Sequence, residues 1–367
     1  MKTEKNSRTL IWHDVFSYSM RKRLWFYIRA FFYEHFFLLL AIGIFSLIVF
    51  LISWKFGVTD KIRIGIYSKG FLKLTFLYTL LFFVFHALYI MAFIRPKRLT
   101  KYIFSYLKAN YISYKRIVNG ILGLISFQIA ASSFTSLKAM IPVINPYSWD
   151  PFFINIDSII HLGYHPWILL HPIFGKPLIT FLVNYAYNLW FFILYFILYY
   201  QLFSLKDQRL RMHYLLATVS TWFIVGGAFA VFFSSVGPCF YGKLTGDFGT
   251  FQPLMDYLDS ANETYPIYAL NTQNYLWDKF IANEMGLGVG ISAMPSLHVA
   301  QAVLMALLAW KQNLFFRFFF IPYAFIVMIG SVHLAWHYAV DGYFSIILTP
   351  VIWYATGLLT NHINFKE

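Results

Sequence analysis

The nineteen residues 76–94, FLYTLLFFVFHALYIMAFI, contain no aspartate, glutamate, lysine or arginine. An α-helix rises about 1.5 Å per residue, so this run covers about 28 Å, close to the ~30 Å hydrocarbon core of a bilayer. Backbone amides and carbonyls find no partners in lipid, so such a run pairs them internally as a helix. Polar and apolar residues do not alternate along it, as they would in a barrel strand. Extended to residue 74, it is the second of eight such segments: 36–54, 74–94, 119–143, 179–203, 214–236, 295–310, 316–334 and 340–359. The sixth is the shortest. The reading is an all-α integral membrane protein with about eight transmembrane helices.

Composition agrees. Of the 367 residues, 59% are hydrophobic, 22% aromatic and only 12% charged, where a soluble domain carries about 25% charge. No cleavable signal is expected at the N-terminus, because residues 1–35 are mixed polar, basic and aromatic and no small-residue cleavage site follows the first run. A single cysteine, Cys239, excludes an internal disulfide and leaves the redox compartment open.

The net charge of +14 invites a nucleic-acid partner, but its distribution speaks against one. With the N-terminus inside, the inner segments hold 20 of the 29 lysines and arginines, and the outer side holds 10 of the 15 acidic residues. That is the positive-inside pattern, and topology with anionic lipid accounts for the charge. Both termini are expected inside, in a multi-pass protein of, by expectation, a bacterial inner membrane. Residues 1–35 read as a basic inner or interfacial N-terminus. Residues 36–115 read as a two-helix segment with a basic inner loop, RPKRLTKYIFSYLKANYISYKR, at 95–116. Two outer segments are long. Residues 144–178 are rich in tyrosine, tryptophan, proline and histidine and read as interfacial, and 237–294 reads as a folded loop.

Two clusters at outer boundaries carry groups capable of chemistry. One is Ser292-Ala293-Met294-Pro295-Ser296-Leu297-His298, and the other runs from His333 through Trp336, His337 and Tyr338 to Asp341. The charge distribution puts both on one side. His337 and Asp341, four apart, share one face if helical. The carboxylate then accepts one imidazole N–H and leaves the other nitrogen as a nucleophile or base. His298, on another helix, suits a general acid, and Ser296 with the first amides of its helix suits an anion. Taken singly, each histidine is more simply an interfacial residue making one hydrogen bond. Asp341 is harder to dismiss, since a carboxylate at a span boundary is costly. His333, His337 and Asp341 also fall on one stripe that suits zinc or iron, with His161, His165 and His171 as the further ligands available. The phosphoryl-transfer reading needs no metal or other cofactor, and none is expected.

These residues resemble a known family. Pro295-Ser296-Leu297-His298 is similar to the P-S-G-H signature of the type-2 phosphatidic acid phosphatase superfamily, and its leucine form inside A-M-P-S-L-H resembles the inositol phosphorylceramide synthase branch. His337-Tyr338-Ala339-Val340-Asp341 resembles the H-Y-x-x-D core of the superfamily's third signature, and Gly237-Pro238-Cys239-Phe240-Tyr241 stands where that branch has a proline-aromatic stretch. The resemblance covers residues 116–367 as a six-helix core, with the N-terminal helix pair outside it. It implies that His337 attacks phosphorus to form a phosphohistidine, Asp341 orients His337, His298 protonates the leaving oxygen and Ser296 contacts the phosphate.

The first signature, K-x6-R-P, has no match, and Ser331 stands six residues before His337 where the family has arginine. Lys243 and His333 are the nearest replacements for the missing cations, with Tyr338 as a further substrate contact. Asp150, Asp157, His161 and His165 are candidates for the entrance, and Gly237 and Pro238 for chain reversal. The implied function is a lipid phosphatase or phosphotransferase acting on a lipid phosphate or phospholipid at the extracytoplasmic face, with hydrolysis and head-group transfer, as onto a sphingolipid, both open. A transporter or lipid-binding protein without turnover is the rival, and it predicts charged groups in mid-span. Nucleic acid is not expected as a partner; membrane lipids are. The oligomeric state is not legible.

Overall fold

A computed structural model describes residues 21–363 and 365. Residues 1–20 of the expected interfacial N-terminus lie outside them. The described residues are helical with no strand. α1 covers 21–34, and α2 (Phe36–Lys55) and α3 (Ser68–Tyr89) follow, the latter running on through a π turn to Ile94. Then come α4 (Leu99–Tyr111), α5 (Tyr114–Ile144), α6 (Asp150–Ile160), α7 (Pro166–Phe174) and α8 (Pro177–Phe203). α9 (Gln208–Phe223) passes through a π segment into α10 (Ala230–Phe232). The last six are α11 (Pro238–Thr245), α12 (Gln252–Thr264), α13 (Tyr268–Ile281), α14 (Leu297–Gln312), α15 (Leu314–His333) and α16 (Ala339–Thr360).

All eight expected segments are helices, and seven are long and apolar enough to cross a membrane. The exception is α14, with 16 residues. It rises about 24 Å, short of the ~30 Å core, and packs between α9, α15 and α16. Local signals set the boundaries: Ser113, Asp207, Ser296 and Asn313 each accept a first-turn amide, as N-cap residues do. Proline opens α6, α7, α8, α11 and α12, where its missing N–H costs nothing.

Aromatic side chains such as Phe76, Phe93 and Phe318 face outward, as lipid-exposed residues do. Inside, small residues permit close approach. A Cβ on Gly120 of α5 would stand 2.1 Å from Phe203 of α8. The N-terminal pair shares the core's packing. Leu38, Ile42 and Phe45 belong to the same buried cluster as α5, α8 and α9 residues, and Phe45 stacks on Phe223 at 3.7 Å. At one end, buried Arg211 donates to the Gln201 carbonyl at 2.9 Å and to His35 at 2.7 Å, and Glu34 pairs with Lys115 at 3.1 Å. The segment 144–178 folds as the two short helices α6 and α7, and the long loop as α11, α12 and α13. No residue of α4 is buried.

Candidate active site

The ends of α14, α15 and α16 converge at the two histidine motifs. Ser296, the N-cap of α14, donates its backbone N–H to the Asp341 carbonyl at 3.2 Å. The His298 and His337 rings lie 6.3 Å apart, centroid to centroid. His298 is held between two rings, Tyr187 at 4.9 Å and Trp190 at 4.3 Å. His337 sits in the turn before α16, its backbone N–H on the Ser331 carbonyl at 2.9 Å. Its Nδ1 donates to Asp341 Oδ2 at 3.2 Å. The i, i+4 pairing therefore forms across the N-terminus of α16 and not along a helix face. Asp341 Oδ2 also accepts the Tyr338 amide at 3.0 Å, which fixes the carboxylate from a second direction. With Nδ1 engaged, Nε2 carries the lone pair. Burial, reinforced by the Lys138 ammonium, pushes His337 down to about 3, so the ring is neutral near pH 7.

Both imidazoles line a cavity of about 360 Å³. Lys138, Ser292, Asn188, Thr272 and Tyr275 are among its polar lining residues. Lys138 is near the end of α5 and belongs to none of the three ion pairs among the described residues. The loop before α14 presses against it: Gly290 has φ +109, and a Cβ there would lie 2.6 Å from the Lys138 carbonyl carbon. The sequence reading missed this lysine, though it is the only charged residue in the run 119–143, and an ionisable group inside a span is a functional candidate by default. Lys138-x6-Asn145-Pro146 also keeps the lysine and proline of the K-x6-R-P signature, with asparagine for arginine.

The four residues expected to touch substrate are not among those that line this cavity. Ser296 is fully buried and its Oγ caps the Val299 amide at 3.4 Å. Lys243 is exposed on α11, over the Trp277 ring at 5.6 Å. His333 is buried at the end of α15 and meets Thr180 Oγ1 at 2.9 Å through Nε2, so it shares no helical stripe with His337 and Asp341. Tyr338 is buried and its hydroxyl donates to Asp150 Oδ1 at 2.8 Å. None of the four lines the cavity.

Asp150 and Asp157, expected at the entrance, are buried clamps. Asp150 accepts the amides of Val236 and Gly237 at 3.0 and 2.9 Å. Asp157 accepts those of Ala339 and Val340 at 2.7 and 2.9 Å, and so caps α16. Burial pushes both carboxyls up, against the hydrogen bonds they accept, and burial with the nearby Asp150 pushes the Tyr338 phenol up. His161 bonds the Asp157 carbonyl at 2.7 Å and Tyr343 at 3.0 Å. His165 lies beside Phe251. Gly237, at φ +86, reverses the chain, and a Cβ there would be 2.8 Å from the Trp336 carbonyl oxygen and 2.9 Å from Ala293 Cβ. Glycine is required at this crossing of the two histidine motifs.

The model of the PAP2 superfamily matches residues 151–355, more than half of the chain. The chain belongs to the PAP2 superfamily. Members are generally phosphatases, and the match selects no branch within it. No curated protein and no solved structure matches the chain. The matched stretch of this PAP2 protein contains His298, His337 and Asp341, whereas Lys138 and the α2–α3 pair lie before it.

Proposed function

We propose that the protein is a lipid phosphatase or phosphotransferase acting at the extracytoplasmic membrane face through a phosphohistidine on His337. The observation that carries this reading is the Asp341-oriented imidazole of His337 lining the same cavity as His298 and Lys138. His337 Nε2 attacks phosphorus as the bond to the lipid oxygen breaks, and Asp341 holds the Nδ1–H throughout. His298 delivers its proton to the leaving oxygen. The dianionic phosphate, once bound, favours the protonated form of His298 that this step consumes. Lys138, in a water-poor pocket, offsets the charge that grows on the equatorial oxygens. In the second half, water or an alcohol head group attacks phosphorus, the P–N bond breaks, and His298 takes the proton back. Water gives hydrolysis; an alcohol such as a sphingolipid hydroxyl gives transfer.

The test is turnover of phosphatidic acid by purified protein in chelator, with phosphate release and head-group exchange followed separately. His337→Ala and His298→Ala are expected to lose activity by at least about a hundredfold, the general acid alone being worth about 10²–10⁴. An acid-labile, alkali-stable phosphoenzyme is expected in wild type and not in His337→Ala. Full activity in both variants would remove the assignment.

A further inference from the structure

The cavity is two-ended. Lys138 lies near the C-terminal end of α5, and His298 and His337 lie at the starts of α14 and α16; the rest of the lining runs along the helices. Along α8 its lining continues from Tyr187 to Leu198, eleven residues and so about 16 Å of helix. Along α5 it continues from Lys138 back to Ala131, about 10 Å. The inner end is walled by Ala131, Leu194, Leu198 and Trp222, and by Phe71 of α3. Phe71 meets Tyr195 edge-on at 4.8 Å. These residues belong to helices long and apolar enough to cross a membrane.

The α2–α3 pair is joined to both ends of this cavity. Tyr67 lines it and hydrogen-bonds Thr135 Oγ1 of α5 at 2.7 Å, and accepts the Gly288 amide at 3.1 Å. Lys61 donates to the Asn283 carbonyl at 2.9 Å. Residues 61–71 therefore hold the loop before α14 and close the side of the cavity. The pair lies outside the superfamily match, yet it supplies part of the wall.

We infer that the inner half of the cavity binds one hydrocarbon tail of the substrate, and that Phe71 and Ala131 set the tail length accepted. This rests on the phosphoryl-transfer reading of the polar end. A tail anchored there seats the phosphate between Lys138 and the two histidines. Apolar walls continuous with a cationic pocket fit an amphipathic phosphate, and a water-soluble phosphate ester leaves the inner end empty.

The experiment uses full-length protein in detergent and phosphatidic acids of stepped acyl length, with para-nitrophenyl phosphate as the tail-less control. For wild type, kcat/KM is expected to rise with acyl length and to level off where the tail reaches the inner wall. Ala131→Phe is expected to move that plateau to shorter chains and Phe71→Ala to longer ones. Neither is expected to change turnover of the tail-less ester. A length profile that is flat, or identical in all three proteins, overturns the tail site while leaving the phosphohistidine reading intact. A protein that turns over nothing removes that reading. Retention of the same lipids, followed by native mass spectrometry, then decides the tail site: equal retention of long and short chains by wild type and Ala131→Phe overturns it.

Discussion

Lys138 separates what is written in the residues from what the fold adds. Charge inside the run 119–143 was legible, and so was its distance from Pro146, but the asparagine at 145 breaks the signature and hides the match. Lys243 and His333 were sought as substitutes because proximity in sequence is visible and proximity across α5 is not. The histidines and Asp341 were legible because their partners lie within four residues or in a neighbouring motif of fixed order. Lys138→Met is expected to lower kcat/KM about 10²–10³-fold, as loss of one preorganised donor to a developing anion does. It carries a second signature. His337 is held at about 3 partly by the Lys138 charge, below the ordinary value of about 6.5. Removing the cation lets that value rise, so the neutral nucleophile is lost at higher pH. The acid limb of the kcat/KM profile should move upward in Lys138→Met and stay in place in Lys138→Arg. An unmoved limb in Lys138→Met would separate this lysine from the nucleophile.

At the level of elements, the eight apolar runs were read with boundaries close to those observed, because lipid leaves the backbone no alternative to helix. The departures have physical causes. α14 is shorter than a span since both its faces are covered by helices and it meets little lipid. Segment 144–178 becomes α6 and α7 because two prolines restart the chain as helix at 151 and 166. The roles of Asp150 and Asp157 were out of reach, as their partners are backbone amides more than eighty residues away. Asp157, on α6, accepts the first amides of α16, whose N-cap is Tyr338, and through that turn it is expected to position His337. Asp157→Ala removes the acceptor for two first-turn amides, and N-cap losses of this kind cost about 0.5–2 kcal/mol. The expected result is a lower Tm in detergent and a fall in kcat with little change in KM, with partial recovery in Asp157→Ser, whose hydroxyl can still accept. A Tm loss with unchanged kcat would show that the cap supports the helix without aiming the histidine.

For the molecule as a whole, charge and site geometry make one joint statement about orientation. α5 begins at the basic inner loop and ends near Lys138, and its 31 residues rise about 46 Å, so the loop and the cavity lie at opposite faces. The excess of lysine and arginine on the loop side is what the positive-inside rule expects of a cytoplasmic face, and in the orientation we propose the cavity lies towards the extracytoplasmic face. The protein's only cysteine makes this testable. Cys239 is 5% exposed, so wild type should resist a membrane-impermeant maleimide. Lys243 on α11 and Lys108 on α4 are both exposed. Lys243→Cys is expected to label in intact cells, and Lys108→Cys only after the membrane is permeabilised. Neither residue lines the cavity, so turnover serves as a check that each variant is folded. The opposite labelling pattern would turn the molecule over and move the phosphate pocket, with its tail site, to the cytoplasmic leaflet. The site's internal geometry would stand, and the lipids available to it would change.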